Sequence, residues 1–338
     1  MVEITITTAD AGRRLDKFLL AYLNNASRSF IYKLLRKKRI KLNGKRAEGG
    51  ELLQSGDAIG FFLSRETLDN CRGVQDAGST PAFALPEIIF EDDDLLIINK
   101  PAGMPSHGGM KGKGAHLLAR VLAYLRETGA FPPGATFTPA LCNRLDVNTS
   151  GLVICGKNYQ AIRAVNELFA NVENASKSEQ TQPNPTIAAT GVEKEYLAVV
   201  DGELHGSATL VGHYHKDTAA NIARVTVDTA GETAISPTSR VITAYKSLAV
   251  AKSHSLLSVS LITGRSHQIR AHLAAIGHPL SGDKKYGSKP TPYAAAQLLH
   301  CKRITLAQPI LSYPAGTTWT AAPNESFKKC MAELFKLH

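Results

Sequence analysis

The chain has 338 residues, 43% hydrophobic and 20% charged, a composition that supplies two folded domains with proper cores and excludes general disorder. No stretch approaches the ~20 apolar residues a bilayer requires, and no apolar run behind a basic segment marks a leader, so a soluble, cytoplasmic protein outside the membrane is expected. The net charge of +10 points to a polyanionic partner, and five scattered cysteines, never in a C-x-x-C pair, argue against a disulfide framework or structural zinc.

Between Met1 and Arg65 stand 13 Lys and Arg against 6 Asp and Glu, which places +7 of the net charge there. Leu15, Phe18, Leu19, Tyr22 and Leu23 recur at helical spacing, so residues 13–23 read as an amphipathic helix. Ser27 or Ser29 caps a second helix whose Ile31, Leu34 and Leu35 face inward. One sign dominates its outer surface, which is read as a phosphate-backbone face rather than a merely solvated one. Arg28, Lys33, Arg36, Lys37, Lys38, Arg39, Lys41 and Lys45 are the candidate RNA contacts. Without interleaved aromatic residues, a folded RNA shape suits this face better than single-stranded bases. A strand from Ile40 ends in the Asn43-Gly44 turn, and Ala58–Leu63 forms another strand.

Residues 66–86 are polar and irregular and read as a flexible linker. Beyond them, Ile88–Phe90 and Leu95–Ile98 form a hairpin around Asp92-Asp93-Asp94. The glycines between Gly108 and Gly114 lack the Walker spacing and read as a mobile loop, followed by a helix over 116–125. Another helix spans 161–169, residues 171–192 read as a disordered insertion, and Lys194–Val200 is a strand. His213 and His215 have no acidic third ligand and read as a strand's exposed face, so no metal is expected.

The polar run Asn143–Gly151 lies between apolar segments, with Leu152–Cys155 a buried strand behind it. On this pattern alone, Asp146 is equally a turn cap and a carboxylate on the floor of a cleft. Ser255–Ile262 alternates as a strand, and a helix begins at about Ser266, its expected N-cap. Arg265, His267, Gln268 and Arg270 crowd that helix start, where a carboxylate or phosphate should sit. No chemistry is read from Gly282–Gly287.

Asn99–Gly103, Arg144–Gly151, Lys194-Glu195-Tyr196 and Thr263–Arg270, with His272, Gly277-His278-Pro279 and Gly282-Asp283, together resemble the RluA-type RNA pseudouridine synthases. Gly12–Leu19, Ser27-Arg28 and Lys41–Lys45 resemble the αL-type RNA-binding domain of a small-subunit ribosomal protein, as in that family's large-subunit rRNA branch. Asn143 departs from the histidine many members carry before Arg-Leu-Asp, and the long insertion before Lys194 is unusual.

The resemblance implies an α+β chain. A small αL-type RNA-binding domain (1–65) and a linker (66–86) would precede a catalytic domain (87–338) on a mixed, mostly antiparallel sheet with flanking helices. It implies Asp146 as catalytic carboxylate and Arg144 filling the place of a flipped uridine. Tyr196 would stack on the uracil and assist proton removal, Arg265 would pair with Asp146, and His267 and Arg270 would contact RNA. It further implies isomerisation of uridine in large-subunit rRNA or an assembling particle; without a dinucleotide fingerprint, Cys cluster or zinc signature the chemistry is expected to be cofactor-free, and the chain a monomer. A non-catalytic assembly factor would leave Arg144, Asp146, Tyr196 and Arg265 unexplained. A glycosidase-like hydrolase needs a second carboxylate that the sequence does not offer.

Overall fold

The computed structural model describes residues 1–72, 84–108, 116–132, 135–175, 191–217, 222–227 and 240–337. The N-terminal unit contains β1 (Val2–Thr5), α1 (Leu15–Tyr22), α2 (Arg28–Arg36), β2 (Ile40–Leu42), β3 (Lys45–Arg46), β4 (Ala58–Phe61) and α3 (Arg65–Cys71). Its four strands run in the order β1-β4-β2-β3, all pairs antiparallel. Leu15, Phe18, Leu19, Ile31 and Leu35 close over Ile59 and Phe61, which are fully buried or nearly so. Burial of one apolar stripe per helix therefore holds both short helices, which would be marginal alone. Ser27 caps α2, its Oγ accepting from Phe30 N at 3.3 Å. Asn43 and Gly44 both take positive φ, 49° and 74°, the conformation a two-residue hairpin turn demands.

The stretch read as linker begins differently. Residues 65–71 form α3, capped by Ser64, with Leu68 and Cys71 buried in the N-terminal core. Two apolar residues three apart are too few to show helical periodicity. Residues 73–83 lie outside the described residues, as do 109–115 in the expected glycine loop. The basic unit also touches the rest of the chain: Asp10 accepts from Thr136 Oγ1, and Arg13 Nη1 donates to Thr136 O at 3.4 Å.

The second unit contains β5 (Ile88–Glu91), β6 (Leu95–Lys100), α4 (Leu117–Glu127), β7 (Ala140–Leu141), β8 (Ser150–Gly156), α5 (Tyr159–Ala175) and β9 (Val192–Asp201). There follow β10 (Ser207–Asp217), β11 (Ile222–Val227), β12 (Arg240–Ala251), β13 (His254–Leu261), α6 (Gln268–Ala275), β14 (Leu299–Leu306), β15 (Thr318–Thr320) and α7 (Glu325–Phe335). Eleven strands form one sheet, β11-β10-β12-β13-β9-β14-β8-β6-β5 with β15 on β14 and β7 on β8. Only the β14–β8 pair is parallel among the described residues, so the sheet is mixed and mostly antiparallel. Of the expected insertion, residues 171–175 continue α5 and Val192 opens β9, while 176–190 lie outside the described residues.

Every residue of β8 is buried, and the strand is flanked by β14 and β6. Gly151 at its start has φ 113°, and a Cβ there would overlap the Cys301 carbonyl. Only glycine lets the loop before β8 pass so close to β14. The polar run Asn143–Thr149 is thereby set at the end of the sheet's central strands.

Candidate active site

The 143–149 loop is pinned at several points. The Asn143 side chain donates to Leu152 O at 3.2 Å and accepts from Ile154 N at 2.8 Å, tying the loop's stem to β8. Ser106 Oγ donates to Leu145 O at 2.9 Å and accepts from Leu145 N at 3.2 Å. Lys100 is fully buried, and its Nζ donates to the carbonyls of Pro101, Met104 and Val147 at 3.0, 2.8 and 3.0 Å. Burial pushes its pKa down to about 8, with nearby Asp146 opposing the shift. Thr149 N donates to Asp146 O at 3.1 Å, closing a turn that presents the carboxylate. At the loop's exit, His300 Nε2 faces Ala321 O at 3.0 Å and so must donate; its Nδ1 then accepts from Ser150 Oγ at 2.9 Å.

Asp146 faces a cleft of about 670 Å³, lined among others by Arg144, Tyr196, Lys194, Lys216, Arg265 and Lys285. Arg270, from the first turn of α6, donates Nη1 to Asp146 Oδ2 at 3.0 Å. Its Nε and Nη2 meet Asp283 Oδ2 and Oδ1 at 2.7 and 2.9 Å, and its guanidinium lies 4.8 Å from the Tyr286 ring centroid. His267 Nε2 stands 3.7 Å from Asp146 Oδ2. Burial holds this imidazole below its ordinary pKa, with Asp146 opposing the shift. Tyr196 is buried on β9, opposite Cys301 of β14. Burial first, then the electrostatic effect of Cys301 and the hydrogen bond with its thiol, push the phenol well above the ordinary value, so it stays protonated.

A family model described as RNA pseudouridylate synthase matches residues 94–275. The chain belongs to this family. An S4 domain model matches residues 13–59, within the basic N-terminal unit. A Haemophilus influenzae protein named ribosomal large subunit pseudouridine synthase C is 32% identical over 292 residues, covering 85% of this chain and 79% of the relative. A Vibrio vulnificus protein of the same name is 31% identical over 315 residues, covering 90% and 88%. The solved structure of human RNA pseudouridylate synthase domain containing 4 shares the fold, with TM-score 0.50, 20% identity, and coverage of 73% of this chain and 92% of that one.

In this synthase Arg144, Asp146, Tyr196, Arg265, His267 and Arg270 all line one cleft, with three changes from expectation. Asp146 pairs with Arg270, not Arg265, whose guanidinium makes no ion pair among the described residues and lines the cavity wall. Arg270, expected at the RNA, is 6% exposed and committed to two carboxylates. Ser266 is not the N-cap: His267 takes that position in the left-handed region, φ 57°, with no side-chain cap. An anion does sit by the start of α6, but it is the protein's own Asp146, held by the Arg270 side chain. Gln268 is structural, bonding Thr263 Oγ1, Arg265 N, Ile242 O and Thr243 Oγ1. Lys100 and Asp283 lie in stretches that carry the family resemblance but are assigned no role there; a lysine followed by Pro-Ala-Gly, and an aspartate after a glycine, carry no local signal of burial. Arg28, Lys33, Arg36, Lys37, Lys38, Arg39 and Lys45 are exposed, and Lys41 lies 4.8 Å from the Phe62 ring centroid.

Proposed function

We propose that this synthase isomerises uridines of large-subunit ribosomal RNA in the cytoplasm, with Asp146 as the catalytic carboxylate. The supporting observation is Asp146 itself: a single carboxylate on a rigid loop, facing a cation-rich cleft, with Arg270 bonded to Oδ2 and His267 Nε2 3.7 Å from the same oxygen. Oδ1 has no partner among the described residues and is the oxygen that meets the nucleotide. The relatives' names supply the substrate class. Among the described residues no helix is long and apolar enough to cross a membrane.

Isomerisation breaks the N1–C1′ bond, turns the base, forms C5–C1′ and moves a proton from C5 to N1. The target nucleotide must leave its stack, at a cost of a few kcal/mol. Exposed Arg144, beside Asp146, fills the vacated space. Tyr196 holds the detached uracil by stacking; its protonated phenol is unsuited to act as the base that takes the C5 proton. The exposed cations of α2 and its flanks, matched by the S4 domain, grip the phosphate backbone.

Pseudouridine mapping of large-subunit rRNA, in cells with and without the protein, tests this. Specific sites should vanish in its absence and return with the unaltered gene. An unchanged map would overturn the substrate assignment.

A further inference from the structure

The Gly282–Gly287 turn enters none of the steps above, yet it supports both partners of Asp146. Asp283 is 2% exposed and holds Arg270 by the two bonds already described, which leaves Nη1 directed at Asp146. Tyr286 acts on the other partner: its hydroxyl lies 3.0 Å from His267 Nδ1 and accepts from Ala223 N at 2.9 Å, while its ring lies against the Arg270 guanidinium. The turn is itself fixed. Gly282 has φ 81°, and a Cβ there would stand 2.5 Å from Ala296 O. Gly282 N donates to Ser288 Oγ at 2.9 Å, and Tyr286 N and Ser288 N donate to Asp283 O at 3.0 and 3.1 Å.

We propose that Asp283 and Tyr286 are positioning residues for the reaction: together they set Arg270 on Asp146 Oδ2 and His267 beside that oxygen, so that Oδ1 is offered to the nucleotide. Neither touches the substrate; both act through a residue that touches Asp146. A group held by its partner's partner is oriented more tightly than one held by a single bond, and loss of such outer partners around metal ligands costs about 10–100-fold. His267, strained in the left-handed region, is the member most dependent on an external bond for its place.

This inference rests on Asp146 being the catalytic carboxylate, so the test carries Asp146→Asn alongside. Asp283→Asn and Tyr286→Phe are compared with the unaltered protein on a large-subunit rRNA transcript. Pseudouridine formation is followed under single turnover, RNA affinity by filter binding, and folding by thermal melts. The expected result is a rate about 100-fold lower for Asp283→Asn and about 10-fold lower for Tyr286→Phe, with RNA affinity within about twofold in both. Should Asp283→Asn not fold, Tyr286→Phe, which keeps the ring over Arg270, decides alone. Undiminished rates per folded molecule, or affinity falling in step with rate, would overturn the positioning role. Turnover retained by Asp146→Asn would overturn the underlying assignment instead.

Discussion

The basic face of α2 and the cleft around Asp146 both carry cations for a polyanionic substrate, yet they are built in opposite ways. On α2 and its flanks, Lys33, Arg36, Lys37, Lys38, Arg39 and Lys45 stand exposed on a compact helical scaffold. Behind the cleft's exposed cations, Arg270 beside Asp146 and Lys100 beneath the loop are buried, each bonded to carboxylates or carbonyls. Exposed charges act by summed field and counterion release, so their effects should be graded, additive and salt-dependent. Buried, hydrogen-bonded charges act by geometry, so their loss should be abrupt and insensitive to salt. On the function proposed above, one region makes affinity and the other makes a reaction.

The strongest way to break this division is at Lys100. Lys100→Met leaves buried carbonyls without their donor and releases the Val147 backbone beside Asp146. The expected loss is about 3 kcal/mol of stability and about 100-fold in single-turnover rate, with little change in RNA affinity; calorimetry and rapid-quench assays read both. The same residue gives a pH signature. Its folded pKa of about 8 lies below the unfolded value of 10.5, so the fold carries a charging penalty that is full below pH 8 and relieved toward 10.5. This residue's contribution therefore makes stability rise with pH in that window. The neutral amine, however, has two N–H groups for three carbonyls. The rate should fall as stability gains, and parallel trends would contradict the clamp.

Next in size is neutralisation of the helix face. Replacing Lys33, Arg36, Lys37 and Arg39 by glutamine should weaken rRNA binding by about 10–100-fold at moderate salt and flatten the log–log salt dependence by about one for each lost phosphate contact. Melting temperature and saturating single-turnover rate should hold. An unchanged salt slope would move the grip elsewhere. The smallest effect is expected at Asn143→Ala, which strips partners from Leu152 O and Ile154 N. A loss of about 1–2 kcal/mol and a several-fold lower rate should follow, measured by denaturant unfolding and the same transcript assay.

The two regions also differed in how far they could be read in advance. The helices of the basic unit follow from Leu15, Phe18 and Leu19 at helical spacing, and its hairpin from Asn43-Gly44, because local sequence decides local structure there. In the cleft, Asp146, Arg144 and Tyr196 stood out through their motifs. Arg270 and His267 stood out too, at a helix start expected to hold an anion, but which of them would meet Asp146 did not, because contacts far apart in sequence leave no trace in periodicity: Asp146 and Arg270 are 124 residues apart. Choosing Arg265 over Arg270 was a matter of which side of the α6 start faces the loop. That depends on the left-handed turn at His267, which Ser266 as cap would not produce. Asn143 shows the converse case: its amide supplies a donor and an acceptor to adjacent backbone groups, holding the loop.

The division between grip and chemistry is tested most directly by Asp146→Asn, with RNA affinity and single-turnover pseudouridine formation measured on one preparation. The account predicts affinity within about twofold of the unaltered protein and no detectable pseudouridine. Turnover that survives the substitution would contradict it.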